Sequence, residues 1–175
     1  MKKLLHILLC LPMIGFGQEW KYYLGGNDFD GKYREAYVIG KGDDSPYNKP
    51  HLYLNNFYQE GSINFYLWNS GYYKRETGAV VLLSFGEGKV YVCNDLGFSK
   101  NGSSVFINGC YDRKTLDNYN RLEILEKFIN SSYVNIRIEN EHAKNTMKFS
   151  LKGSSKAIKY VLPDFNKLLL QKRGL

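Results

Sequence analysis

Runs of Tyr, Phe, Val and Ile, broken by turn residues roughly every eight to twelve positions, constrain this chain more than any other feature. A chain so patterned alternates short half-buried strands with tight turns, and cannot supply the long periodic segments that a helical bundle needs. Strands are expected at 20–24, 34–40, 51–57, 63–68, 79–85, 89–93, 104–108, 133–139 and 146–151. Gly25-Gly26, Asp43-Asp44-Ser45-Pro46, Gly61-Ser62, Gly86-Glu87-Gly88 and Asn101-Gly102 punctuate them. The expected class is all-β, an antiparallel β-sandwich of eight or nine strands with two short helices, one near the C-terminus.

The helices are marked by a change of period. In 121–130 the apolar residues Leu122, Leu125, Phe128 and Ile129 share one helical face. A second helix is expected over 156–162, with Ser154 or Ser155 able to cap its first turn through a side-chain oxygen. Pro163 should end it at Leu162. Asp164 can then start a last turn or two containing Phe165, Leu168 and Leu169.

The first residues, MKKLLHILLCLPMIGFGQ, read as a secretory signal peptide over 1–17. Lys2 and Lys3 precede an apolar stretch too short and too interrupted to span a bilayer, and Gly15 and Gly17 sit at −3 and −1 of a cut before Gln18. Lipidation at Cys10 is disfavoured, because Leu9 stands where a small residue is needed. Residues 18–175 are then one domain, exported to the periplasm or secreted, with no transmembrane segment. Losing both lysines takes the formal charge from +7 to +5. The basic residues are scattered, as on an ordinary solvated, mildly basic surface; a partner for such a charge outside the cytoplasm is an anionic envelope surface or glycan rather than nucleic acid.

Two cysteines, Cys93 and Cys110, flank the Asn101-Gly102 pair evenly. A two-residue Asn-Gly hairpin turn would face Lys100 with Ser103 and, counting outward, Phe98 with Val105, Leu96 with Ile107 and Cys93 with Cys110. The cysteines then fall on a non-hydrogen-bonded pair, with Cα atoms about 4.5 Å apart, within reach of a disulfide. Their spacing suits neither a zinc site nor a C-x-x-C motif, and export favours the bond. Strict alternation puts Val90, Val92, Leu96, Phe98, Val105 and Ile107 on the core face, and both cysteines on the outer face with Tyr91, Asp95, Phe106 and Asn108. A bulge at Asp95-Leu96-Gly97 would disturb that register.

No residues announce catalysis. His51 and His142 lack a nucleophile or carboxylate at a readable spacing, and no G-x-S-x-G, H-E-x-x-H or P-loop occurs. The stretch Asn27-Asp28-Phe29-Asp30-Gly31 has alternating oxygen ligands but lacks the bidentate Glu of a calcium loop, so Asx turns explain it better. No cofactor or metal is expected. Alternation places Tyr66 and Trp68 opposite Ile63, Phe65 and Leu67, and Tyr53 opposite Leu52 and Leu54. An outer face carrying Tyr53, Tyr66 and Trp68 could stack against a sugar or peptide, although Tyr and Trp are also ordinary strand residues and helices could cover that face.

The stretch FSLKGSSKAI, from Phe149 to Ile158, follows a short helix and two strands and leads into the last helices. In Phe149, Leu151, Gly153, Ala157 and Ile158 it resembles the F-x-L-x-G-x-x-x-A-hydrophobic signature of an exported bacterial β-sandwich family associated with type VI secretion, the VasI-like proteins. The resemblance implies a helix packed on the end of a sandwich, and its matching positions speak to packing rather than chemistry. The leading functional expectation is a non-catalytic exported protein that binds another envelope component. A glycan- or peptide-binding module using the aromatic face is one alternative. A hydrolase whose carboxylate pair is assembled by folding is the other.

Overall fold

The computed structural model describes residues 19–27, 31–43, 49–57, 62–71 and 78–174; the expected signal peptide lies outside them. Among the described residues eleven strands and three helices follow in the order β1 (Lys21–Asn27), β2 (Gly31–Ile39), β3 (Lys41–Gly42), β4 (His51–Asn55), β5 (Asn64–Trp68), β6 (Val80–Ser84), β7 (Tyr91–Phe98), β8 (Ser104–Asp112), β9 (Asn118–Asn120), α1 (Arg121–Ile129), β10 (Tyr133–Glu139), β11 (Lys144–Ser150), α2 (Ser154–Val161) and α3 (Phe165–Lys172). The antiparallel all-β class holds. All nine expected strands form, joined by β3 and β9, and the anticipated last turns after Asp164 make a third helix.

Pairing gives one sheet where a sandwich expects two. Its order is β1-β2-β4-β5-β8-β7-β6-β10-β11-β3, with β9 on β8. Because β3 follows β2 after a single residue, Gly40, the last strand of that order is the continuation of its second. The sheet therefore closes on itself, which removes the open edges a flat sheet would leave there. Gly40 is needed at this junction: a Cβ on it would sit 2.5 Å from Cε1 of buried Phe149.

Period-2 alternation fills the interior. Ala36 and Val38, Leu52 and Leu54, Phe65 and Leu67, Val105 and Ile107, and Val134, Ile136 and Ile138 are all buried in one cluster. The helices bury Ile124, Leu125 and Phe128 from α1, Ala157, Ile158 and Val161 from α2, and Phe165 and Leu169 from α3 against it. Phe128 packs on Phe65 and Phe85 at 5.6 Å between ring centroids.

The cap of α2 differs from expectation. Its N-cap is Gly153, in the left-handed region at φ 87°, and neither serine caps it. Ser154 is buried and instead donates to the Phe128 carbonyl, 2.8 Å away, which ties α2 to the end of α1. At α1 the cap is a full capping box: the Asn120 side chain accepts from Leu122 and Glu123 N–H, and Glu123 Oε2 accepts from Asn120 N–H.

Cys93 and Cys110 form a disulfide with Cα atoms 4.0 Å apart. The route to that pairing is less direct than a uniform hairpin. Of the turn pair only Gly102 is at positive φ, and Ser99 N–H donates to Ser104 C=O, so the turn spans Lys100–Ser103. Facing pairs run Phe98–Val105, Gly97–Phe106 and Leu96–Ile107, then slip to Asp95–Gly109, and return at Val92–Tyr111. Asn108 is the extra residue on β8, and a second extra residue lies on β7 between Val92 and Asp95. The two insertions cancel in register, so the cysteines still meet. Each insertion also reverses the in–out alternation beyond it. The expected outer-face disulfide is thus corrected: Cys93 and Cys110 are 0% and 5% exposed and belong to the core, with Tyr91 beside them.

Candidate ligand-binding site

Four strands, β2, β4, β5 and β8, present one outer face whose register aligns side chains in rows. Tyr37 faces Tyr53, Tyr53 faces Tyr66, and Tyr66 faces Phe106. Antiparallel strands lie about 4.8 Å apart, so rings at facing positions meet. The Tyr53 and Tyr66 rings are 4.9 Å apart and within 7° of parallel. Tyr37 stacks on Tyr53 at 5.0 Å, and Phe106 lies 4.9 Å from Tyr66. Lys21 stands 5.7 Å from the Tyr37 ring at one end, and Phe106 leans over Gly97 at the other.

The aromatic residues singled out in the sequence, Tyr53, Tyr66 and Trp68, do share this face. They do not make a flat platform. Tyr53 and Tyr66 spend their ring faces on each other and on their neighbours. Trp68 is in the next row, edge-on to His51 at 4.9 Å, and is 40% exposed. The His51 imidazole is held below its ordinary pKa by burial and then by the nearby Lys21 charge, against a backbone hydrogen bond at Lys49. His142 is exposed and paired with Glu141.

Beside the ring row is a pocket of about 350 Å³. Its walls are Tyr33, Phe57, Tyr66 and Phe106, and its polar groups are Glu35, Asn55, Asn64 and Ser104. Tyr66 Oη donates to Glu35 Oε2 at 3.1 Å. Asn64 Nδ2 donates to Asn55 Oδ1 and to Phe57 O, at 3.4 and 3.3 Å. Arg121, first residue of α1, supports the pocket from behind: Nη1 donates to Asn64 Oδ1 at 2.6 Å and Nη2 to Asn108 Oδ1 at 2.9 Å. Asn108 is the bulge residue, and its Nδ2 donates on to Asp95.

Burial sets the electrostatics. It raises the Glu35 pKa, outweighing the hydrogen bonds from Tyr66 and Asn55 that favour the anion. The Tyr53 phenol is pushed up to about 12, by desolvation first and by the Glu35 charge second. Tyr66 is raised for the same two reasons. At neutral pH both phenols are therefore neutral donors. The pocket can accept hydrogen bonds at Glu35 and the amide oxygens, and donate them from the Tyr33 phenol, the Ser104 hydroxyl and the amide N–H groups.

Strand alternation alone does not single out Glu35, Asn55, Asn64 or Arg121. Polar residues at outward strand positions are ordinary, and only the fold brings these four together. The calcium-like loop has Asp28, Phe29 and Asp30 outside the described residues. Among the described residues, no group of three or more His, Cys, Asp or Glu could hold a metal ion, and no helix is long and apolar enough to cross a membrane. No family model, curated protein or solved structure matches this chain.

Proposed function

We propose that this is an exported, non-catalytic binding protein that takes a sugar unit of an envelope glycan in the Glu35–Tyr66 pocket. The observation that carries this reading is the lining: a carboxylate, two amides, two phenols and a serine hydroxyl set among aromatic rings. A sugar offers hydroxyls that both donate and accept, together with apolar C–H faces, and such a lining answers both. The volume, about 350 Å³, falls at the small end of ligand pockets, the size of one or two sugar rings. Export rests on the N-terminal pattern, and the disulfide suits an oxidising compartment. A hydrolase working through paired carboxylates needs a second acid; among the described residues lining the pocket, Glu35 is the only one.

The test is a titration of the protein with envelope oligosaccharides, followed by tyrosine and tryptophan fluorescence and by isothermal calorimetry. Saturable binding that Tyr66→Phe weakens by roughly tenfold is expected, the scale of one lost hydrogen bond in a partly buried site. Absence of binding across the panel would sink the proposal.

A protein partner is the second reading, favoured by β1. Among the described residues that strand pairs with β2 alone, and it exposes Tyr23 and Leu24. An unpaired edge of this kind can accept an added strand. The resemblance at Phe149–Ile158 would place such a partner among type VI secretion components. Specific capture of one protein from the envelope fraction, lost on Leu24→Asp, would favour this reading over the glycan.

A further inference from the structure

A second concavity, of about 180 Å³, lies on the outer face of β6, β10 and β11, on strands other than those that build the Glu35–Tyr66 pocket. Its floor is apolar, including Leu82 and Val90. Two guanidinium groups reach it from different elements. Arg137 sits mid-strand on β10, between Leu82 of β6 and Thr146 of β11. Arg113 comes from the turn after β8, anchored by its backbone N–H, which donates to Val90 C=O at 2.9 Å. Ser84 and Asn135, a facing pair, add neutral hydrogen-bonding groups at the rim.

The charges there are incompletely answered. Arg137 Nε is 3.0 Å from Glu139 Oε2, an ion-pair distance, yet it is buried and no acceptor is aligned with its N–H. Among the described residues the Arg113 side chain has no hydrogen bond or ion pair. Among the described residues, Glu139 is the acid beside Arg137, and Asp43 is already engaged, accepting from Thr146 N–H at 2.8 Å. Lys148, facing Asn135, adds another positive charge. Guanidinium forks match a planar carboxylate, and an apolar floor is poorly suited to a strongly hydrated ion.

We propose that this pocket binds a small carboxylate with an apolar body, its carboxylate held between Arg113 and Arg137 and its body on Leu82 and Val90. Inorganic phosphate has the charge without the body. Benzyl alcohol has a comparable body without the charge. Benzoate, which has both, should bind in roughly the millimolar range, as befits a ligand of so few atoms.

The experiment is an amide-resolved NMR titration of the protein with benzoate, benzyl alcohol and phosphate in parallel. Benzoate is expected to shift Leu82, Asn135 and Arg137 amides saturably, and Arg113→Gln to weaken it by about tenfold with unchanged thermal stability. Arg113 is exposed, so that variant should fold. No saturable benzoate shift on these strands would overturn the proposal. So would benzyl alcohol or phosphate binding as tightly as benzoate, or an Arg113→Gln variant with undiminished affinity. Shifts from the glycan pocket would fall on β2, β4, β5 and β8, so failure of one site is distinguishable from failure of the other.

Discussion

Glu35 and Tyr66 hold each other in an unusual state for outward-facing strand residues. Half-burial raises the Glu35 pKa, so the folded protein keeps a proton that the unfolded chain releases near 4.5. Below that value both states are neutral and burial of the carboxyl has no ionic cost. As pH rises from 4.5 through the higher folded value, the unfolded chain binds fewer protons and stability is lost. Glu35→Gln removes this titration. Its thermal midpoint should gain on the parent protein between pH 4 and pH 7, by less than about 4 °C given solvent screening of the exposed part of the group. A gap that narrows or stays flat over that range would contradict the burial argument. Tyr66→Phe works in the opposite sense, because it withdraws the donor from Glu35 Oε2. A loss of about 1–2 kcal/mol is expected by chemical denaturation, with the Glu35 carboxyl moving further up in an NMR titration.

At the scale of elements, the β7–β8 hairpin separates what a sequence carries from what it hides. The facing of Cys93 and Cys110 was legible, because an Asn-Gly turn fixes where counting starts. Their burial was not. It depends on one extra residue in each strand, and insertions that cancel in register leave no trace in the pairing of the ends. Their signal is compositional: Asn94-Asp95 and Asn108-Gly109 put loop residues inside two strands, where only a bulge accommodates them well. Burial changes the chemistry of the bond. Both sulfurs lie in the core, so reductant should reach them only when the hairpin opens. Native protein in dithiothreitol should resist thiol labelling that proceeds readily in denaturant; equal rates would put the disulfide at the surface. The helices show the same division. Periodicity located α1 and α2, and Asn120-x-x-Glu123 is a readable capping box. The replacement of a serine cap by Gly153 depended on where Phe128 presents its carbonyl, which is a tertiary fact. Ala157 is fully buried where α2 meets the sheet. Ala157→Trp should therefore lower stability by roughly 1–3 kcal/mol or more through overpacking, and an unchanged melting temperature would refute the docking of that face. The candidate pocket was the least legible part, since Glu35, Asn55, Asn64 and Arg121 come from four separate elements.

For the molecule as a whole, the decisive step is the passage of one continuous strand through Gly40. Residues before it pair with β4 as far as Ile39–His51, and residues after it pair with β11 through Lys41 and Gly42. At the crossing, Gly40 N–H donates to Pro50 C=O at 2.7 Å while the Phe149 ring lies against its Cα. Closure thus depends on a backbone position with no room for a side chain, although its φ is one any residue adopts. Gly40→Ala would place a methyl group 2.5 Å from Phe149 Cε1 and 2.7 Å from Cδ1. The ring is fully buried and cannot swing into solvent, so either it leaves its rotamer or β3 lifts from β11. A cost of roughly 1–3 kcal/mol is expected, read as a lower denaturant midpoint. Phe149→Leu alone should also destabilise, by opening a cavity. In the double variant the smaller side chain makes room for the methyl group, so the two losses should fall short of additive by about 1 kcal/mol. Strictly additive losses would mean that the ring and the glycine do not limit each other, and that the sheet closes without this contact.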